Sequence, residues 1–380
     1  MRVPCALLLA AALAAPASSQ ERPDLATLLV SVVDARTDAP LAYAVVSLAQ
    51  VNLERFTDGR GRLTLPTLAP GRYDVLVRRL GFVPFRSQVT LTAGAPTVLD
   101  VRLSSVPQQL SRIRVTAAAS CANPGPPDAI RDPDVFTLVS LLRENADRYR
   151  LLASQYPFVR IQARALGDLR DEAMFVERVD VTSFPSQTRS EYRAGEVVHR
   201  RGGLHTMGIP TILDLADDDF ARSHCFFYGG ATPHTTASGE ETWLRLDVRA
   251  DDKLNSPDVN GAFYLDSATA QLRKMDLELS RPDRLPRQLS TIATVHVSTA
   301  FVEIANGLSV IQQVCAVTRL RPSEKNADSA SRALVPVELQ QIVKYAFTKP
   351  PPDVPAQRTF EAPGWQPLTY LPRTAIWCEG

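Results

Sequence analysis

After residue 20 the sequence has no apolar run approaching the roughly 18 residues a membrane-crossing helix requires, which excludes multi-span membrane classes. Neither sign of charge predominates. Forty-two basic residues against 41 acidic ones leave a formal +1, so the electrostatic signature of nucleic-acid or anionic-lipid binding is missing. Lysine is scarce, at five of the 42 basic residues, a bias that genome composition explains as readily as function. Aromatics are sparse at 7%. No Cys-x-x-Cys occurs, which argues against a redox motif or zinc ribbon. No His-Glu-x-x-His, Gly-x-Ser-x-Gly elbow, phosphate loop or Gly-x-Gly-x-x-Gly fingerprint is present either. What remains is an ordinary water-soluble composition over 380 residues, enough for two or three domains.

The beginning of the chain and its cysteines point to one compartment. Residues 1–19 read as an export signal: Arg2, an apolar run from Ala6 to Ala15, then Ala15-Pro16-Ala17 as a cleavage site. Cys5 precedes the apolar run, where a lipid-acceptor cysteine would follow it. Removal of the signal leaves Cys121, Cys225, Cys315 and Cys378, which in an exported chain favour two disulfides with three pairings open. Cys121 with Cys225 and Cys315 with Cys378 is the working choice.

From residue 28 to 103 short apolar segments alternate with turn residues at even spacing, the pattern of an all-β sandwich or barrel. Residues 28–33, 43–48, 62–65, 71–78, 88–91 and 98–103 read as strands forming a meander, and Tyr73, Val75 and Val77 share one face as a period of two requires. Residues 57–61 (Thr-Asp-Gly-Arg-Gly) read as a hairpin turn.

Asp34-Ala35-Arg36-Thr37-Asp38-Ala39-Pro40-Leu41, Thr57-Asp58-Gly59-Arg60-Gly61-Arg62-Leu63, Leu68-Ala69-Pro70-Gly71-Arg72-Tyr73 and Leu80-Gly81-Phe82 occur in that order. In this the segment 26–104 resembles the carboxypeptidase regulatory-like domain. The resemblance implies a seven-stranded β-sandwich of transthyretin type, also grouped with carbohydrate-binding-like folds. Residues 110–117 resemble the segment that follows this domain in TonB-dependent outer-membrane receptors, although too little chain follows for plug and barrel.

Residues 105–130 read as a linker. A second, α+β domain is expected over 131–348. Asp132 stands at the cap and Pro133 at the first turn of a helix whose Val135, Leu138, Val139, Leu142, Ala146 and Tyr149 form one apolar stripe ending at Tyr156-Pro157. Alternation then returns at Leu244, Leu246 and Val248, at Met275, Leu277 and Leu279, and along 335–347, so long antiparallel strands with one wet face follow. The expected architecture is mainly β: a sandwich, then a curved antiparallel sheet packed on one long helix. Arg and Asp at mid-strand on the wet faces argue against a small outer-membrane barrel. Residues 349–355 read as an extended polyproline segment opening a Pro-rich tail, 349–380. Cys121, the stretch 220–226 around Cys225, and 259–273 are similar to the C-terminal region of exported bacterial proteins carrying the same domain. That resemblance implies a Cys121–Cys225 pair.

Metallocarboxypeptidases lend the domain its name, yet none of His199, His205, His224, His234 and His296 opens the His-x-x-Glu of their zinc site. His224, Cys225 and His234 have metal-ligand chemistry, but a disulfide cysteine beside a strand-end histidine explains them. Asp217-Asp218-Asp219 reads as a solvated acidic turn, and Glu240, Glu241, Asp247 and Asp251 as the wet face of a sheet rather than a glycosidase pair. Trp243, Trp365 and Trp377 read as buried or interface residues rather than sugar platforms. The expectation is a non-catalytic exported binding or interaction protein of the bacterial envelope, in the periplasm or at the outer membrane. It has no catalytic residue, metal or cofactor, and its only special residues are the cysteines. Its partner is an envelope protein, a peptide or a glycan, with no nucleic acid; peripheral association with the outer membrane and the oligomeric state stay open. The alternative is a hydrolase using carboxylates or His224 in the C-terminal domain.

Overall fold

The computed structural model describes residues 25–106, 120–170, 173–202, 204–236, 239–321, 335–360 and 370–372. The expected export signal, the receptor-like segment 110–117, Trp365, Trp377 and Cys378 lie outside them.

Seven strands build the N-terminal sandwich: β1 (Ala26–Asp34), β2 (Val45–Leu48), β3 (Leu53–Phe56), β4 (Arg62–Leu68), β5 (Gly71–Arg78), β6 (Phe85–Leu91) and β7 (Pro96–Leu103). One sheet has the order β4-β1-β7 and the other β3-β2-β5-β6. Ala26, Leu28, Val30 and Val32 of β1 point inward against Tyr73, Val75 and Val77 of β5, so two alternating faces close one core. Strand β3 escapes the sequence pattern because only four residues, half of them charged, compose it. The expected meander is corrected: β1 pairs with β4 and β2 with β5 across the two sheets, and β7 runs parallel to β1, from Thr27 opposite Pro96 to Asp34 opposite Leu103. Asp58 Oδ1 accepts the backbone N–H groups of Arg60 and Arg62 and so ties 57–61 into a turn, but not into the expected hairpin: β3 and β4 belong to different sheets, and the turn carries the chain from one to the other.

Helix α1 (Pro133–Gln155) follows. Asp132 occupies the cap without a side-chain bond; Asp128 instead accepts from the N–H groups of Ile130 and Arg131, so the turn before the helix is the one that is tied. The whole expected stripe is buried. The remaining strands are β8 (Phe158–Arg170), β9 (Ala173–Pro185), the small hairpin β10 (Val198–Arg201) and β11 (Leu204–Met207), β12 (His224–Thr236), β13 (Gly239–Ala250), β14 (Val259–Asp266), β15 (Leu272–Leu279), β16 (Ile292–Ala305), β17 (Leu308–Leu320), β18 (Val335–Phe347), β19 (Gln357–Thr359) and β20 (Tyr370–Pro372). A short helix, α2 (Asp218–Arg222), precedes β12. Except for the β10–β11 hairpin these strands form one antiparallel, eleven-stranded sheet in the open order β12-β13-β14-β15-β16-β17-β18-β8-β9-β20, with β19 on β18. Helix α1 touches β12 and β13 at one end of this series and also β17. Those strands would stand roughly 24 Å apart in a flat sheet, more than twice a helix diameter, so the sheet curves around the helix.

The helix also joins the two domains. Its stripe shares one core with Ala42, Tyr43, Val45 and Phe56 of the sandwich. Tyr43 adopts a left-handed φ of 53°, which starts β2 two residues later than its alternation suggests and turns the Tyr43 carbonyl toward the helix. Arg148, fully buried, donates to that carbonyl and to the Gly307 carbonyl, both at 2.8 Å. Gly307 is irreplaceable there: its φ is +81°, and a Cβ would stand 2.4 Å from the Arg79 guanidinium. Burial draws Arg148 down to about 9 and Arg79 to about 10, so both stay protonated at neutral pH. Asn145 clamps the other flank, donating to the Ala270 carbonyl and accepting from Leu272 N–H. The stretch 349–355 departs from the expected extended form. Val354 N–H returns to the Pro351 carbonyl in a turn, Val354 is buried in the core it shares with Tyr43, and Asp353 accepts from the Tyr43 hydroxyl, so the segment is anchored on the sandwich at these two residues.

Candidate functional site

Around the start of β12 the chain gathers its chemistry. Cys121 and Cys225 are bonded, with Cα atoms 5.5 Å apart, and the Cys121 carbonyl accepts from Asp252 N–H. The bridge fixes the segment before α1 to the strand after α2. Cys315 is buried on β17 and disulfide-bonded.

Beside the bridge, His224 is fully buried. Its Nδ1 donates to the Phe220 carbonyl at 2.9 Å, and its ring stacks on Phe220 with centroids 4.3 Å apart. Nε2 faces Asp258 Oδ1 at 3.7 Å. Asp258, also fully buried, accepts from Tyr192 Oη, Gly195 N–H and Val259 N–H. Burial, and then the Asp258 charge, push the Tyr192 phenol far above its ordinary range, so it stays a donor. Asp214 accepts from the Ser190 and Thr211 hydroxyls and from Thr211 N–H. These two carboxylates hold the loops between β9 and α2 against the sheet.

The cleft they frame has a volume of about 720 Å³. Glu196, Asp214, Asp217, Asp219 and Asp251 line it against Arg193 and Arg222, with Tyr192 and Phe220 at its floor. Asp217 is the cap position of α2, which turns the expected acidic turn into the cleft's rim.

The expected site residues are dispersed. His224 and His234 lie at opposite ends of β12, roughly 30 Å apart along an extended strand, and Cys225 has no free thiolate. His234 stacks on Trp243 at 4.0 Å and closes that indole, whose Nε1 donates to Glu241. Glu241 also holds Arg273, while Asp247 pairs with Arg245. Among the described residues no three metal-ligating side chains are arranged around a common point, and none donates to His224 Nε2. Sequence reading misses Tyr192, Asp214 and Asp258. Tyr192 and Asp258 stand 66 residues apart and no spacing rule joins them; the one available signal is Pro257-Asp258 opening a strand.

Residues 27–104 match the family model of the carboxypeptidase regulatory-like domain. The N-terminal sandwich is thus similar to the carboxypeptidase regulatory-like domain over its whole length. None of the curated proteins matches the chain significantly. Among solved structures, similarity extends to the minor pilin GBS52 of Streptococcus agalactiae at 18% identity, covering 24% of this chain and 49% of that one with a TM-score of 0.21. The chain thus spans about half the length of that pilin. The major pilin subunit BcpA of Bacillus cereus is similar at 12% identity over 83% of this chain and 95% of that one, with a TM-score of 0.20. A DUF3823 family protein of Bacteroides uniformis is similar at 11% over 63% and 96%, also with a TM-score of 0.20. Such scores are far below those of chains sharing a fold along their length. Among the described residues no helix is long and apolar enough to cross a membrane. The regulatory-like domain does not line the cleft; it meets the cleft's domain through α1.

Proposed function

We propose that the protein is an exported, non-catalytic binding protein of the bacterial envelope, and that its ligand seats in the cleft beside the Cys121–Cys225 bridge. The observation that carries this reading is the charge of a rigid concavity. Five carboxylates line about 720 Å³ against two guanidiniums, and the walls are fixed by the disulfide and the Asp258 and Asp214 nodes. Preorganised walls reduce the ordering cost of association, and an acidic lining favours a ligand with positive charge. A basic peptide segment of an envelope protein fits that description. The regulatory-like domain supports the reading as an adaptor joined through α1. A hydrolase built on His224 is disfavoured because that ring is sealed under Phe220 with Nδ1 committed to a carbonyl.

Titration calorimetry of the mature chain with a short Lys/Arg-rich peptide tests this. Micromolar binding that weakens with salt is expected, absent for the Glu-substituted peptide and reduced about tenfold in D217N/D219N. Equal binding of both peptides, or of neither, would overturn the assignment.

A further inference from the structure

The large sheet also buries side chains on the face turned away from α1. Val314 and Ala316 of β17 pack toward the helix, whereas Cys315 and Val317 alternate with them and join a separate cluster. Its other fully buried members are Val337 and Leu339 of β18, Ala165 of β8 and Met174 of β9. All six are at most 3% exposed, yet every described member of the cluster belongs to those four strands. Neighbouring strands of one layer flank such side chains but cannot cap them, so further chain lies over this patch. The cover is local: on the same face Val179 and Val181 of β9 are 48% and 71% exposed. Two observations identify it. Cys315 is disulfide-bonded, and Cys121 and Cys225 are bonded to each other, which leaves Cys378 or, within the expected export signal, Cys5. Strand β20 brings the chain to the margin of the patch, Leu371 opposite Met174 and Pro372 opposite Ala173, six residues before Cys378.

We propose that Cys315 pairs with Cys378 and that residues 373–380 form a strap over the outer face of β9, β8, β18 and β17. The choice of Cys378 over Cys5 rests on the export reading, while the strap stands or falls independently of what the cleft binds. Its reach fits. β20 and β17 are four strand spacings apart, roughly 19 Å, and offset by about five residues along the strands, roughly 17 Å, a diagonal of about 25 Å. Six extended residues span about 21 Å and a cystine adds about 5.5 Å between Cα atoms, so the strap has to run nearly straight across the patch. In an extended chain Ile376 shares the face of Cys378, which sets an apolar side chain against the cluster.

Tryptic digestion of the purified, unreduced protein tests the pairing. In material that runs as a monomer on a non-reducing gel, mass spectrometry should find residues 288–319 joined to 374–380, a species that separates on reduction. Deletion of 373–380 tests the cover: with far-UV circular dichroism unchanged, anilinonaphthalene sulfonate fluorescence should rise severalfold as the patch is uncovered. Cys315 joined to any other cysteine, or Cys378 recovered as a free thiol, refutes the proposal. So does a folded deletion variant whose dye fluorescence stays at the level of the intact chain. Should the deletion unfold the chain, the linked peptide decides.

Discussion

The regulatory-like sandwich and the sheet that follows solve the same problem, covering an apolar sheet face, by different means. In the sandwich each sheet covers the other: Leu28, Val30 and Val32 meet Val75 and Val77, and within the described residues no disulfide is needed. The eleven-stranded sheet has a single long helix for the same task. That cover works because the sheet curves, because Arg148 and Asn145 tie the helix to backbone on both flanks, and because a disulfide closes one end. Two matched layers can be held by side-chain volume alone, whereas one helix under many strands depends on directional bonds.

That contrast can be broken by substitution. Leu142→Ala removes a fully packed side chain from the long helix that covers the sheet and should cost about 4 kcal/mol, measured by denaturant unfolding. Its expected signature is early loss of the C-terminal domain with the sandwich still folded. Replacing Cys121 and Cys225 together by Ala opens a connection across 104 residues and should cost about 3 kcal/mol, measured by the same denaturant unfolding. Arg148→Met keeps the volume but leaves the Tyr43 and Gly307 carbonyls without their donor. A loss of about 2 kcal/mol is expected, and a single calorimetric transition should separate into two as the domains uncouple. The smallest effect is on pH dependence. Burial holds the His296 imidazole below its ordinary value of 6.5, so just below that value the unfolded chain binds the extra proton. This contribution is therefore present above about pH 6.5 and lost as the pH falls; H296Q should flatten that limb of the melting-temperature profile.

The sandwich was largely legible because the inward positions of β1 and β5 repeat at two residues and the turns at 57–61 and 69–71 carry Gly, Asp or Pro. Its parallel β1–β7 contact was not, since alternation is blind to strand direction. For the helix, Leu138 and Leu142 announce the buried face, but nothing marks Arg148 as interior: an arginine in that stripe reads as solvent-facing until Tyr43 and Gly307 are seen to receive it. The cleft was the least legible part. Asp258 and Tyr192 are polar residues in loops, ordinary in sequence, and their meaning lies in a contact that only the folded sheet creates.

The parallel pairing of the sandwich's first and last strands has a mechanical consequence. Chain enters at the start of β1 and leaves at the end of β7, and because the eight paired positions run in the same direction, those two points lie at opposite ends of the ladder. Tension between whatever precedes residue 26 and the helix-bearing half therefore loads the whole ladder in shear, all its bonds resisting together instead of opening one by one like a zip.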